Sequence, residues 1–213
     1  MQHKYPTFWS TLNQHIGPHH FISAGLNNDL LAGFEPITMP RRALLQTAGE
    51  PAEWIYFLVD GLAVAFATVD SGDVYKRKAL YLYQSGHFLL PFTTIPDTVK
   101  SLMDVELADD TELLRLPYEH YVYLMQTYPE FDYFDQQYRL QSTKEWIETH
   151  AILRTMRTVT DRMLWLYTQY PDSCLTLSDQ IVSDIIGGFS REIVCKNRPR
   201  VIEMYQYIKR DKL

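Results

Sequence analysis

Cysteine is scarce: the 213-residue chain has two, Cys174 and Cys195. Two thiols cannot build the disulfide framework of a small secreted domain, and they suit a reducing cytosol, so a cytoplasmic protein is expected. No apolar run approaches the ~20 residues that cross a bilayer. Met1 to Ser10 holds one lysine and no apolar core, so it does not read as a signal peptide. There is no P-loop, no G-x-S-x-G and no H-E-x-x-H. The acidic pair Asp109-Asp110 falls at a predicted turn, where solvated carboxylates are ordinary, and the chain is read as a non-enzyme. His15, His19 and His20 flank Gly17-Pro18, so no helical face gathers them. They are read as exposed loop histidines, and no metal or other cofactor is expected.

What is present is an ordinary globular composition, 46% hydrophobic and 22% charged, on a chain long enough for a sensor domain plus a small second domain. The net charge of −6 is unevenly spread. From Ser190 to Leu213 seven basic residues stand against three acidic ones, a net of +4, which leaves −10 on the rest. A basic end on an acidic body attracts phosphate at one place and repels it elsewhere. A solvated basic terminus is the plainer alternative.

The apolar period changes along the chain. Phe8 to Ile16 reads as a helix with Trp9, Leu12 and Ile16 on one face. From about Pro36 the period is two. Trp54–Val59 and Leu62–Thr68 flank the turn Asp60-Gly61 as a hairpin. Val74–Tyr83, Ser101–Ala108 and Glu112–Leu116 follow as further strands. Short strands separated by turns predict an antiparallel barrel or jelly roll. After Pro117 the pattern is helical: Tyr118–Tyr128, then a long helix from Glu130 to Arg154. Tyr133, Leu140 and Ile147 share a stripe on it, but Gln137, Lys144 and Ala151 between them make a weak coiled-coil seam. Val159, Met163, Leu166, Tyr167 and Tyr170 form an amphipathic helix, with Thr158 and Asp161 placed to cap its start.

Residues 177–198 carry the functional reading. Ser178 is an N-cap with Asp179 offsetting the helix dipole. Ile181, Val182, Ile185 and Ile186 give one apolar face, and Gly187-Gly188 stops the helix. Ser190 caps a second helix that exposes Arg191 and Glu192, while Ile193 and Val194 are expected to pack back on the first. Two short helices joined by a glycine turn follow the helix-turn-helix plan. An arginine there can bond guanine O6 and N7, and a glutamate can accept from cytosine N4. Arg191 and Glu192 are therefore expected to read bases, with Ser190, Lys196, Asn197 and Arg198 on or beside phosphates. An ordinary helical hairpin is the competing reading.

The string S-R-E-I-V after a glycine turn resembles the recognition helix of the Crp/Fnr superfamily. The likeness extends over most of the chain. Gly49–Leu62 resembles the opening of that family's cyclic-nucleotide-binding β-roll. Tyr83–Phe88 resembles the strand leading into its phosphate cassette, and Leu113–Glu119 the last strand and next helix. Tyr128–Phe131 resembles the lead-in to its dimerisation helix. The resemblance implies an α+β fold: an N-terminal antiparallel β-roll over 1–129, a dimerisation helix over 130–154 and a helix-turn-helix domain over 155–213. It implies a homodimer on double-stranded DNA, with RNA polymerase as a further candidate partner and a small-molecule effector of unknown identity.

The sequence departs from the family in two places. Leu90-Pro91 stands where cyclic-nucleotide binders carry Gly-Glu, and Lys100-Ser101 stands near their Arg. Lysine offers charge without the bidentate fork, and Leu90 is expected to fill ligand space, so cyclic AMP and cyclic GMP are not expected ligands. Leu90, Pro91, Lys100 and Ser101 are the candidate pocket residues for whatever ligand remains. The second departure is the helix-turn-helix. Its turn is a residue longer than usual, Pro199 is expected to break or kink the recognition helix, and too few residues follow Arg198 for a winged hairpin. This leaves an alternative, a ligand-binding or interaction module that no longer binds DNA. Two cysteines cannot hold a four-thiolate iron–sulfur cluster, and nothing marks a haem ligand.

Overall fold

The computed structural model describes residues 4–16, 21–70, 75–90, 100–171 and 176–211. Pro91, Cys174, His19 and His20 lie outside them. Helices α1 (Pro6–Ile16) and α2 (Ala24–Gly33) open the chain. Strands β1 (Glu35–Met39), β2 (Leu44–Gln46), β3 (Trp54–Leu58), β4 (Leu62–Asp70), β5 (Tyr75–Gln84), β6 (Phe88–Leu89), β7 (Asp104–Leu107) and β8 (Thr111–Pro117) follow. The rest is helical: α3 (Tyr118–Thr127), α4 (Pro129–Thr155), α5 (Val159–Gln169), α6 (Asp179–Ile186) and α7 (Arg191–Asp211).

The strands make two four-stranded antiparallel sheets, ordered β1-β8-β3-β6 and β2-β7-β4-β5. This is the expected α+β class with a β-roll. Side chains alternate across a strand. On β3, Tyr56 and Leu58 face the roll interior, while Ile55 and Phe57 join a core shared with the first four helices. On β4 and β5, Ala63, Ala65, Tyr81 and Tyr83 face inward. Leu62, Val64, Phe66, Ala79 and Leu82 face outward, against residues of α5, α6 and α7. Both faces of β3 are therefore covered, which is why it reads Trp-Ile-Tyr-Phe-Leu without a polar position. A bulge between Ala65 and Phe66 leaves Leu80 as the extra residue of β5.

The long helix is fixed at its root. Phe131, Phe134 and Tyr138 are buried in the helix-side core, and Tyr138 Oη accepts from Phe88 N at 2.8 Å. Asp135 is buried and accepts from Arg139 Nε at 2.8 Å and from the Tyr121 hydroxyl of α3. Burial, then the Asp135 carboxylate, pushes the Tyr121 hydroxyl well above its ordinary value. Beyond this anchor the expected stripe continues outward: Leu140 and Ile147 are 65% and 55% exposed, with Trp146 and Ile152 also exposed.

Two expectations change here. His15 is not an exposed loop histidine: it lies in the last turn of α1, half-buried, with Nδ1 on Thr11 O at 2.8 Å and its ring 5.0 Å from that of Tyr138. The helical face of Phe8, Trp9, Leu12 and Ile16 carries it inward. Helix α2, anchored by Leu26 and Leu30 and capped by Ser23 Oγ, was not expected.

Candidate nucleic-acid interface

Helices α6 and α7 and the turn between them form the helix-turn-helix. Ser178 Oγ accepts from Ile181 N and starts α6. Val182, Ile185 and Ile186 are buried and Ile181 is half-buried. Gly187 and Gly188 take φ of 60° and 76°, the left-handed region where a side chain would be strained. Ser183 Oγ closes the turn by donating to Phe189 O at 2.7 Å.

A residue outside the motif holds this turn. Arg162 of α5 donates from Nη1 to Ile186 O at 2.7 Å and to Gly187 O at 2.8 Å. Its Nε donates to Met156 O at 3.0 Å, just past the end of α4, and its guanidinium lies 5.1 Å from the Phe189 ring. A cation at the carbonyl end of α6 offsets the helix dipole. Arg162 thus ties α4, α5 and the turn together. Sequence alone gave no signal for it, because its partners are backbone carbonyls 24 and 25 residues away.

On α7, Ser190 Oγ lies 3.5 Å from Ile193 N at the cap position. The hydroxyl of Ser190 also holds the Glu192 carboxyl below the usual carboxylate range. Arg191, Glu192, Lys196 and Arg200 are exposed along one side of the helix. Val194 and Val201, seven residues apart, are fully buried on the other. Ile193 is 42% exposed, contrary to the expectation that it packs on α6, since one residue along a helix turns it 100° from Val194.

The remaining expected contacts point elsewhere. Arg198 Nε bonds Asp179 Oδ1 at 2.5 Å, linking α7 to the first turn of α6. Asn197 Nδ2 donates to Ile193 O on its own helix. Pro199 does not end the helix, which continues to Asp211. The proline sits on the exposed side, where the carbonyl it deprives of a partner can meet water, and Val201, Ile202 and Tyr205 hold the following turns to the core. Among the described residues no strand follows α7.

Of the described candidate ligand residues, Leu90 stands apart from Lys100 and Ser101. Leu90 is buried in the helix-side core, so it does not fill the roll interior. The interior is instead occupied by Tyr81 and Tyr83, whose ring centroids lie 4.9 Å apart and whose hydroxyls burial pushes up. Lys100 is exposed and bridges Pro51. Ser101 is buried and donates to Met103 O at 2.6 Å. Among the described residues no group of His, Cys, Asp or Glu could hold a metal ion. No helix of the described residues is long and apolar enough to cross a membrane.

No protein-family profile and no curated protein matches the sequence. Solved structures do match. The c-di-GMP responsive global regulator CLP of Xanthomonas campestris is similar at TM-score 0.58 and 21% identity, over 88% of this chain and 93% of that one. FixK2 from Bradyrhizobium japonicum is similar at TM-score 0.62 and 13% identity, over 80% and 85%. A chain from Eubacterium rectale described as a crp/fnr family transcriptional regulator reaches TM-score 0.63 at 11% identity, over 87% and 84%. The fold is that of the Crp/Fnr regulators.

Proposed function

We propose that the chain is a DNA-binding transcription regulator of the Crp/Fnr type. The observation that carries this is the first two turns of α7. Arg191, Glu192 and Lys196 stand exposed together on a helix backed by α6 and preceded by a turn held in place by Arg162. A helix presented this way can enter a major groove N-terminus first. Arg191 and Glu192 read base edges, and Ser190, Lys196 and Arg200 take phosphates. Arg198 and Asn197 serve the fold of the motif more than the contact with DNA, because both are bonded within it.

The reading has three functional parts: a roll over 1–129, a dimerisation helix over 130–154 and a DNA-binding unit over 155–213. Exposed Leu140 and Ile147, seven residues apart on one stripe of α4, supply an apolar surface for a second copy, so the working form is a homodimer on a two-fold-symmetric site in the cytoplasm. RNA polymerase is the protein partner this role calls for. The effector is not a cyclic nucleotide, since Leu90-Pro91 replaces the ribose-binding Gly-Glu and Lys100 replaces the phosphate-binding Arg, while Tyr81 and Tyr83 pack inside the roll.

One observation favours the alternative of an interaction module without DNA binding. Helix α6 is docked on the roll, where Asp184 Oδ2 accepts from Ala79 N at 3.2 Å and Arg41 reaches Thr176 O at 3.0 Å. Selection of binding sites from random DNA with purified protein separates the two. Recovery of a two-fold-symmetric site with steep salt dependence supports the regulator, and no enriched site supports the alternative.

A further inference from the structure

A cavity of about 350 Å³ lies where the roll, the long helix and α5 meet. Strand β5 contributes Tyr81, and His87 follows it. Helix α4 contributes Glu145 and Glu148, and α5 contributes Trp165, with Tyr170 just beyond its end. None of these residues belongs to the recognition surface on α7.

The chemistry of the lining is one-sided. Three aromatic rings and two carboxylates face the cavity, and among the described residues no lysine or arginine lines it. Glu145 is half-buried and lines the cavity together with Tyr81, His87 and Tyr170. Its hydrogen-bond partner is the neutral amide of Gln141 at 2.8 Å. Glu148 is exposed at the cavity rim and meets Lys144 at 3.8 Å, a pair open enough to solvent to contribute little. Burial lowers the His87 imidazole below its ordinary value. With Nδ1 donating to Gln84 O at 2.9 Å, the neutral ring keeps Nε2 as an acceptor and adds no positive charge.

An anion entering this space would meet carboxylates and no lysine or arginine among the described lining residues. A cation would meet the half-buried Glu145 carboxylate beside Tyr81, Trp165 and Tyr170, and an aromatic ring next to a carboxylate is the pairing that attracts ammonium groups. We propose that this cavity is a binding site for a small organic cation, a quaternary or primary ammonium compound. The occupant would touch the roll, α4 and α5 at once, and α5 carries the Arg162 that holds the helix-turn-helix turn. The site does not depend on the DNA-binding reading.

Calorimetric titration of the full chain with choline and with putrescine tests the assignment. At least one should bind saturably with a Kd near or below about 1 mM. For choline, its uncharged isostere 3,3-dimethyl-1-butanol should bind at least about tenfold more weakly. Glu145→Gln, which leaves a neutral group of the same shape, should weaken the bound cation about tenfold. Trp165→Leu should weaken it severalfold. Because Trp165 is half-buried, the Glu145→Gln result decides if the leucine variant melts early. No saturation by either cation up to ~10 mM would overturn the proposal. Affinity unchanged in Glu145→Gln, or equal binding of choline and its neutral isostere, would overturn it too.

Discussion

Arg162→Ala should damage the helix-turn-helix without touching its surface. The side chain makes three hydrogen bonds to backbone carbonyls, at 2.7, 2.8 and 3.0 Å. A hydrogen bond to a charged group contributes ~1.5–3 kcal/mol when counted singly. Three bonds from one half-buried guanidinium do not add in full, because water can reach part of the space after truncation. The helix-dipole contribution at the end of α6 supplies ~0.3–1 kcal/mol more. A total of about 2–4 kcal/mol is expected. Arg162→Lys keeps the charge but cannot span three carbonyls, and should lose about half as much. Urea unfolding followed by far-ultraviolet circular dichroism measures both. The loop from Gly187 to Ser190 sets the angle of α7, so affinity for a selected DNA site should fall together with stability. A loss under ~0.5 kcal/mol for Arg162→Ala, with DNA affinity unchanged, would refute the claim that this residue holds the turn.

Three further outcomes are expected. The 25.0 kDa chain should sediment at about 50 kDa at micromolar concentration, and Leu140→Glu with Ile147→Glu should return it to monomer. A wild-type monomer would remove the assigned role of α4. Burial lowers the pKa of His87, so the folded state binds its proton less readily than the unfolded chain does. Its contribution is therefore complete above the ordinary histidine value and is lost as pH falls from there toward the folded value, with a slope of at most ~1.4 kcal/mol per pH unit. His87→Asn should flatten that part of the stability–pH curve, and an unchanged curve would contradict the assignment. Titration with cyclic AMP and cyclic GMP should give no saturable heat, because Leu90-Pro91 lacks the ribose-binding Gly-Glu and Tyr81 and Tyr83 pack inside the roll. A micromolar dissociation constant for either would show that those rings can move aside.

The strands, the long helix and the helix-turn-helix were legible because their signals are local. A continuous apolar run marks β4 and alternation marks β5, Thr158 and Ser178 cap their helices, and Gly187-Gly188 marks the turn. Helix α2 was missed because Gly-Leu-Asn-Asn-Asp-Leu-Leu buries two leucines and has little apolar periodicity. Leu90 was assigned to the ligand space on a family likeness, but the neighbouring Leu89 faces the roll interior and the strand alternation turns Leu90 to the other core. Pro199 was read as a breaker, a local rule that the packing of Val201 and Tyr205 outweighs. The ion pair that draws Arg198 to Asp179 joins residues on two helices, and only the packed motif brings them together.

The central claim is that the first turns of α7 read DNA, and a gel-shift series on a selected site at several salt concentrations tests it most directly. Arg191→Ala should cost ~1–3 kcal/mol on the cognate site and relax the preference at one base pair. Lys196→Ala should weaken cognate and random DNA alike and lower the salt slope by about one unit. Both residues are exposed, so both variants should stay folded. Equal loss on cognate and random DNA for Arg191→Ala would contradict base reading by this residue, and failure of the wild-type protein to select any site would contradict the regulator itself.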